Sequence, residues 1–106
     1  MYSEVLIYAK HLLMNVRKIN PEEIISVHFP RTDVLENNQQ KNERDLKLHK
    51  AVALSNIEHQ DVGIVLQLDT GEVIETYSTL VDYADDFVVL KGGYFIPVWA
   101  IVDVEA

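Results

Sequence analysis

Residues 62–104, VGIVLQLDTGEVIETYSTLVDYADDFVVLKGGYFIPVWAIVDV, decide the fold. At the start of this stretch, large apolar residues occupy every second position: Val62, Ile64, Leu66 and Leu68. A period of two predicts a β-strand with one buried face and the intervening residues on the other side. Asp69-Thr70-Gly71 follows and predicts a tight hairpin turn, because glycine accepts a positive φ. The stretch therefore opens with a strand and a hairpin.

The remainder continues the same alternation of strands and turns. A return strand is predicted over Val73–Val81, a turn over Asp82–Asp86 and a third strand over Phe87–Lys91. Gly92-Gly93 predicts a second tight turn, with Gly71 and one of these two glycines at positive φ. Tyr94 opens a fourth strand, which Pro97 limits to an edge or a bend because proline lacks the N–H that a ladder needs. Residues 100–104 form the last strand. The predicted core consists of Val62, Ile64, Leu66, Leu68, Leu90, Ile96 and Ile101, and most of the aromatic rings are expected to join it.

The segment before these strands is polar or ambiguous. Asp45–Leu54 fits either a helix or an alternating strand, and we favour an extended segment from about Lys47. Residues 31–43 have almost no large apolar side chains, which predicts a solvated loop or mobile linker. Ile24–Phe29 follows the helix-start signal of Pro21 with two glutamates, but its β-branched residues equally fit a strand.

The N-terminal residues predict an amphipathic helix from Tyr2 to about Lys18. Its apolar residues recur at spacings of three and four, which places them on one face: Val5, Leu6, Ala9, Leu12, Leu13 and Val16. Ser3 stands where a helix N-cap would, and Asn20-Pro21 ends the helix.

The C-terminal half resembles SH3-like and Sm-like small barrels. It is also similar to small uncharacterised bacterial proteins that share a "VLKGG…IP…I…V" ending, here VLKGGYFIPVWAIVDVE. The resemblance implies a mainly β, α+β fold with an N-terminal helix and a small antiparallel barrel, in which a short helical turn joins the last two strands. It divides the chain into a helical segment with a polar linker, residues 1–43, and a barrel domain, residues 44–106. Small acidic Rho-binding antiterminators share this order of helix and barrel, but the resemblance implies no function, because one fold serves many functions.

Charge is distributed unevenly along the 106 residues, whose net charge is −8. Residues 1–57 contain eight of the nine Lys and Arg residues and carry +1, whereas residues 58–106 contain only Lys91 against ten acids and carry −9. Nucleic acids and anionic membranes are therefore disfavoured as partners, since both attract basic surfaces. A basic protein partner fits better, and self-association is kept as an alternative. The candidate partner contacts share one predicted turn: Asp82, Tyr83, Asp85 and Asp86.

No arrangement of residues predicts catalysis. Cysteine is absent, which excludes thiolate chemistry and disulfides, and the four histidines do not fall at metal-binding spacings. His59 and Asp61 are the nearest approach to a metal pair, and a polar turn explains them better. There is no phosphate-binding glycine motif and no serine nucleophile motif. We expect no metal, no cofactor and no enzymatic activity.

The sequence alone identifies no partner or reaction. No apolar run spans a bilayer and no signal peptide is evident, so a cytoplasmic location is expected. The favoured hypothesis is a non-enzymatic interaction or regulatory module with an acidic barrel. The alternative is an Sm-like nucleic-acid-binding protein that uses the more basic N-terminal half.

Overall fold

The computed structural model describes residues 16–105, which are mainly β with one α-helix. The predicted α+β class is confirmed, but this helix is not the predicted N-terminal helix. Helix α1 spans Asn38–Glu58 and precedes six of the seven strands. Two short 3-10 helices cover Pro21–Ser26 and Val98–Ala100. The strands are β1 (Arg17–Lys18), β2 (Val62–Gln67), β3 (Val73–Ser78), β4 (Leu80–Ala84), β5 (Phe87–Leu90), β6 (Tyr94–Pro97) and β7 (Ile101–Glu105).

The described strands form two sheets that do not close into the predicted barrel. One sheet has the order β1-β3-β2-β7 and the other has the order β4-β5-β6. The predicted return strand Val73–Val81 is in fact two strands, because the chain leaves the first sheet at Thr79. There the Leu80 N–H donates to the Ser55 hydroxyl at 3.2 Å, and the Thr79 hydroxyl donates to Asp61 at 2.8 Å. The Ser55 hydroxyl thus satisfies a backbone N–H at the point where the chain passes from one sheet to the other.

The helix α1 corrects two predictions. The polar residues from Asn38 to Glu43 belong to a helix rather than a linker, and the segment from Lys47 to Leu54 is helical rather than extended. Asn37 caps the helix by accepting the Gln40 N–H at 2.8 Å. The buried positions follow a helical spacing, but two of the four are polar, so the apolar periodicity is incomplete: Arg44, Leu48, Ala51 and Ser55.

The predictions for the N-terminal residues lie partly outside the described residues and are partly corrected. Most of the predicted helix, residues 2–15, lies outside the described residues. Its last two residues are not helical, because Arg17 and Lys18 form β1, which pairs in parallel with β3. The strand alternative for Ile24–Phe29 is also wrong, since Pro21–Ser26 is a 3-10 helix. Its start is fixed by the Asn20 N–H, which donates to the Glu23 carboxylate at 2.7 Å.

One hydrophobic core joins residues from both parts of the chain. All seven predicted core residues are buried, and Ile19, Ile24 and Leu48 belong to the same cluster. The described residues on both sides of the expected boundary at 43/44 therefore share this core, and α1 crosses that boundary. Strand β2 is buried on both faces, not one, because Val65 packs with Val73 and Val102 on the opposite side of its sheet.

The two predicted glycine turns and the proline position are confirmed, whereas the predicted turn Asp82–Asp86 is reduced to Asp85 and Asp86. Gly71 has φ 90°, and both Gly92 and Gly93 have positive φ, where one had been expected. Pro97 ends β6, the edge strand of the three-stranded sheet, and the 3-10 turn Val98–Ala100 leads into β7. This arrangement places the β4–β5 hairpin and β6 together on one side of the molecule.

Candidate protein-interaction surface

The four candidate contact residues lie in the β4–β5 hairpin, but they are not all in a turn. Asp82 and Tyr83 are in strand β4, and only Asp85 and Asp86 form the turn. The three aspartates, termed the hairpin acids below, are exposed, whereas Tyr83 is half-buried. The structure therefore keeps the acids together on the surface and separates the tyrosine from them.

A β-bulge at Val81 causes this separation. Leu80 is paired with Leu90 and the next pair is Asp82 with Val89, so Val81 is an extra residue in β4. Strand residues point alternately to opposite faces, and one extra residue reverses the alternation. Asp82 consequently points away from the core, and Tyr83, paired with the buried Val88, points toward it.

Tyr83 is bound to helix α1. Its hydroxyl donates to the Asp45 carboxylate at 2.5 Å, and its ring lies 4.8 Å from the ring of His49. Burial, followed by the hydrogen bond to the Asp45 carboxylate, raises the pKa of Tyr83 to about 12. The hydroxyl therefore holds the hairpin against the helix and is already occupied by an internal partner.

Exposed aromatic rings lie beside the hairpin acids. Phe87 and Phe95 are 42% and 59% exposed, and their ring centroids are 6.3 Å apart. The ring of Trp99 lies 5.7 Å from Phe87, and its indole N–H donates to the Pro30 carbonyl at 2.6 Å. We call the outward side chains of Phe87, Val89 and Phe95, together with Trp99, the aromatic face.

The aromatic face contradicts the expectation that most of the rings join the core. The sequence nevertheless contains a signal for it, since Leu90 and Ile96 are predicted core residues, and both are buried together with Val88. Strand alternation then turns Phe87, Val89 and Phe95 outward. Monomeric proteins seldom expose adjoining large apolar side chains without a use, so this face is a candidate interaction surface.

The hairpin acids are not neutralised by the described cations. Three other acids do form ion pairs with Arg or Lys: Glu72 with Arg17 at 2.9 Å, Asp33 with Arg44 at 2.7 Å and Asp103 with Lys47 at 2.7 Å. Within residues 16–105 the side chain of Asp82 accepts only the Tyr83 N–H, and Asp85 and Asp86 form no ion pair. Their negative charge is therefore available to attract a cationic group.

Helix α1 carries four of the eight Lys and Arg residues of the more basic N-terminal half, and two of these four are committed to the fold. Arg44 is 6% exposed and donates to both Asp33 and the Ile101 carbonyl, while Lys47 pairs with Asp103. Burial raises the pKa of Asp33, but hydrogen bonds from Arg44 and the Leu35 N–H outweigh it and hold that pKa below its ordinary value. Of the four, Lys41 and Lys50 form no such ion pair among the described residues.

A second surface feature is an open cleft of about 670 Å³ between the C-terminal end of α1 and the β3–β4 bend. Lys91, His59, Tyr77 and Tyr94 line it. His59 and Asp61 both line this cleft, and the Asp61 carboxylate accepts the Thr79 hydroxyl. Across residues 16–105, no three His, Asp or Glu side chains come together as metal ligands. In the same range, no helix has the length and apolar character needed to span a membrane.

Comparison with known proteins gives no assignment: neither a family model, nor a curated protein, nor a solved structure matches the chain.

Proposed function

We propose that the protein is a non-enzymatic interaction module that binds a basic segment of a partner protein through the hairpin acids and the aromatic face. The observation that carries this proposal is the position of unpaired acids directly beside exposed rings. Asp86 adjoins the aromatic face, because its carbonyl accepts the Val98 N–H at 2.9 Å, next to Trp99. Aromatic anchors with flanking charges are typical of protein interfaces.

Electrostatics favours a basic protein over the other partners. A second copy docked face to face would bring the two sets of hairpin acids together, which like-charge repulsion opposes. Single-stranded nucleic acid stacks on exposed rings, but it also needs cations beside them. The charges that directly adjoin Phe87 in the chain are aspartates, and two of the four cations of α1 are engaged in ion pairs.

The proposal retains the resemblance to SH3-like and Sm-like small barrels. The resemblance is supported by the antiparallel hairpins β2–β3, β4–β5 and β5–β6 and by the 3-10 turn before β7. The fold itself implies no partner, so the function rests on the surface rather than on the resemblance.

The test measures association kinetics between the protein and a fluorescent peptide rich in arginine and leucine at several salt concentrations. We expect the association rate to fall steeply as salt rises, because screening removes electrostatic steering. Replacing Asp82, Asp85 and Asp86 by Asn should lower that rate and leave the circular dichroism spectrum unchanged. The matched control replaces the exposed Glu22, Glu36 and Glu58 by Gln, which gives the same net charge of −5 from the original −8.

Equal association rates for the two triple variants would contradict a local role for the hairpin acids. A parallel titration with random single-stranded RNA at about 150 mM salt examines the nucleic-acid alternative. Tighter binding of RNA than of the peptide, lost on replacing Lys41 and Lys50 by Gln, would overturn the proposal in favour of that alternative.

A further inference from the structure

The register of the three-stranded sheet places acid and ring side chains in defined rows. One row crosses the sheet as Asp82, Val89 and Phe95, and the next crosses it as Ala84, Phe87 and Pro97. Neighbouring strands are about 4.8 Å apart, so Asp82 and Phe95 are separated by about 10 Å. The aromatic face is therefore bordered by acid along its β4 side.

A second border is acidic as well. The Asp85-Asp86 turn follows β4 directly and precedes Phe87, so it closes the end of the aromatic face near Trp99. The opposite end of the aromatic face, at the Lys91–Gly93 turn, carries Lys91, the one Lys or Arg of residues 58–106. A ligand that rests on the rings thus meets negative charge on two adjoining sides of the face.

The dimensions of the face suit an extended chain. Strands of four or five residues extend about 13–17 Å, and three of them are about 10 Å wide. In an extended segment, side chains two positions apart point the same way and lie about 6.6 Å apart. Suppose that an apolar side chain of the partner lies between Phe87 and Phe95. The partner residues two positions before and after it then lie within the length of an arginine side chain of the hairpin acids, one near Asp82 and the other near Asp85 or Asp86.

We infer that the partner segment is extended and carries an apolar side chain with a Lys or Arg two positions away on each side. The apolar side chain binds to the aromatic face, and the two cations bind to the hairpin acids. This inference rests on the proposed function and adds the spacing that the partner must have. The bulge at Val81 determines the spacing, because it brings Asp82 into the same row as Phe95.

Three peptides of equal length test the spacing. The first is Gly-Arg-Ser-Leu-Ser-Arg-Gly, the second has the same composition in the order Gly-Arg-Arg-Leu-Ser-Ser-Gly, and the third is the first with Ser in place of Leu. Trp99 is the only tryptophan of the chain and borders the aromatic face, so its fluorescence reports occupancy, and calorimetry gives an independent affinity. We expect the first peptide to bind about fivefold tighter than the second, the difference that one exposed ion pair makes, and tighter than the third.

Two protein variants localise the effect. Phe95→Ser should remove the preference for Leu over Ser in the peptide, whereas Leu46→Ser, at a helix residue 69% exposed and distant in sequence, should leave it intact. Equal affinities for the first and second peptides would overturn the inferred spacing and leave the proposed function standing. Equal affinities for the first and third would overturn the role of the aromatic face. Absence of binding by all three would overturn the proposed function itself.

Discussion

At the scale of single residues, the ion pair between Arg44 and Asp33 attaches the loop between the 3-10 helix Pro21–Ser26 and α1 to the rest of the fold. The guanidinium reaches across to a loop carboxylate and to the carbonyl of Ile101, so one side chain connects α1, the loop and β7. Its Nε atom has no hydrogen-bond partner among the described residues, and removal of Asp33 would leave a buried charge still less satisfied. Loss of the partner of a buried charge lowers the free energy of unfolding strongly, because that charge is no longer hydrated in the folded state.

Asp33→Asn should therefore lower the free energy of unfolding by about 3 kcal/mol at neutral pH. The Asp33 carboxyl has a lowered pKa in the fold, so its contribution is present above the ordinary value of 3.8 and disappears as pH falls below it. Urea unfolding at several pH values should show the difference between wild type and variant shrinking in acid. Glu36→Gln, at an exposed acid in the same loop, is the control and should change little. A difference that is constant across this pH range would contradict the role of ionised Asp33.

At the scale of elements, Tyr83 joins strand β4 to helix α1 through Asp45. Because its pKa is raised from 10 to about 12, the folded state favours the neutral phenol. This contribution is complete below pH 10 and is lost as pH rises through about 12. Tyr83→Phe should cost about 1 kcal/mol at neutral pH and flatten the alkaline part of the stability profile, measured by urea unfolding. Tyr94→Phe serves as the control, and an alkaline profile identical to wild type in Tyr83→Phe would contradict the contact.

The elements also show what the sequence could and could not predict. Strands β2 and β3 and the glycine turns could be predicted, because the alternation of apolar residues and the backbone freedom of glycine are properties of consecutive residues. Helix α1 could not be recognised because Arg44 and Ser55 occupy half of its buried positions, and their burial depends on partners distant in the chain. The bulge at Val81 is likewise a property of strand pairing, so Asp82 and Tyr83 could not be assigned to opposite faces from sequence alone.

At the scale of the whole molecule, one core connects the 3-10 helix, α1 and both sheets. Leu66 is fully buried at its centre and belongs to the same cluster as Ile24, Leu48 and Ile96. The described residues should therefore unfold as a single cooperative unit, since none of these elements buries its apolar face without the others. Separate unfolding of the helix and the sheets would require two cores, and the contacts provide one that they share.

Leu66→Ala should lower the free energy of unfolding by roughly 2–5 kcal/mol, because it removes buried methylenes and leaves a cavity. The far-ultraviolet circular dichroism of α1 and the fluorescence of Trp99 should both report the same shifted midpoint in a urea titration, since Leu48 of α1 and Val98 beside Trp99 belong to one core. Ile57→Ala, at a helix residue 78% exposed, is the control and should move neither probe by a comparable amount. A loss below about 1 kcal/mol would mean that Leu66 is not a packing centre. Two different midpoints would mean that α1 and the three-stranded sheet unfold separately, and binding on the aromatic face would then stabilise the sheet without stabilising the helix.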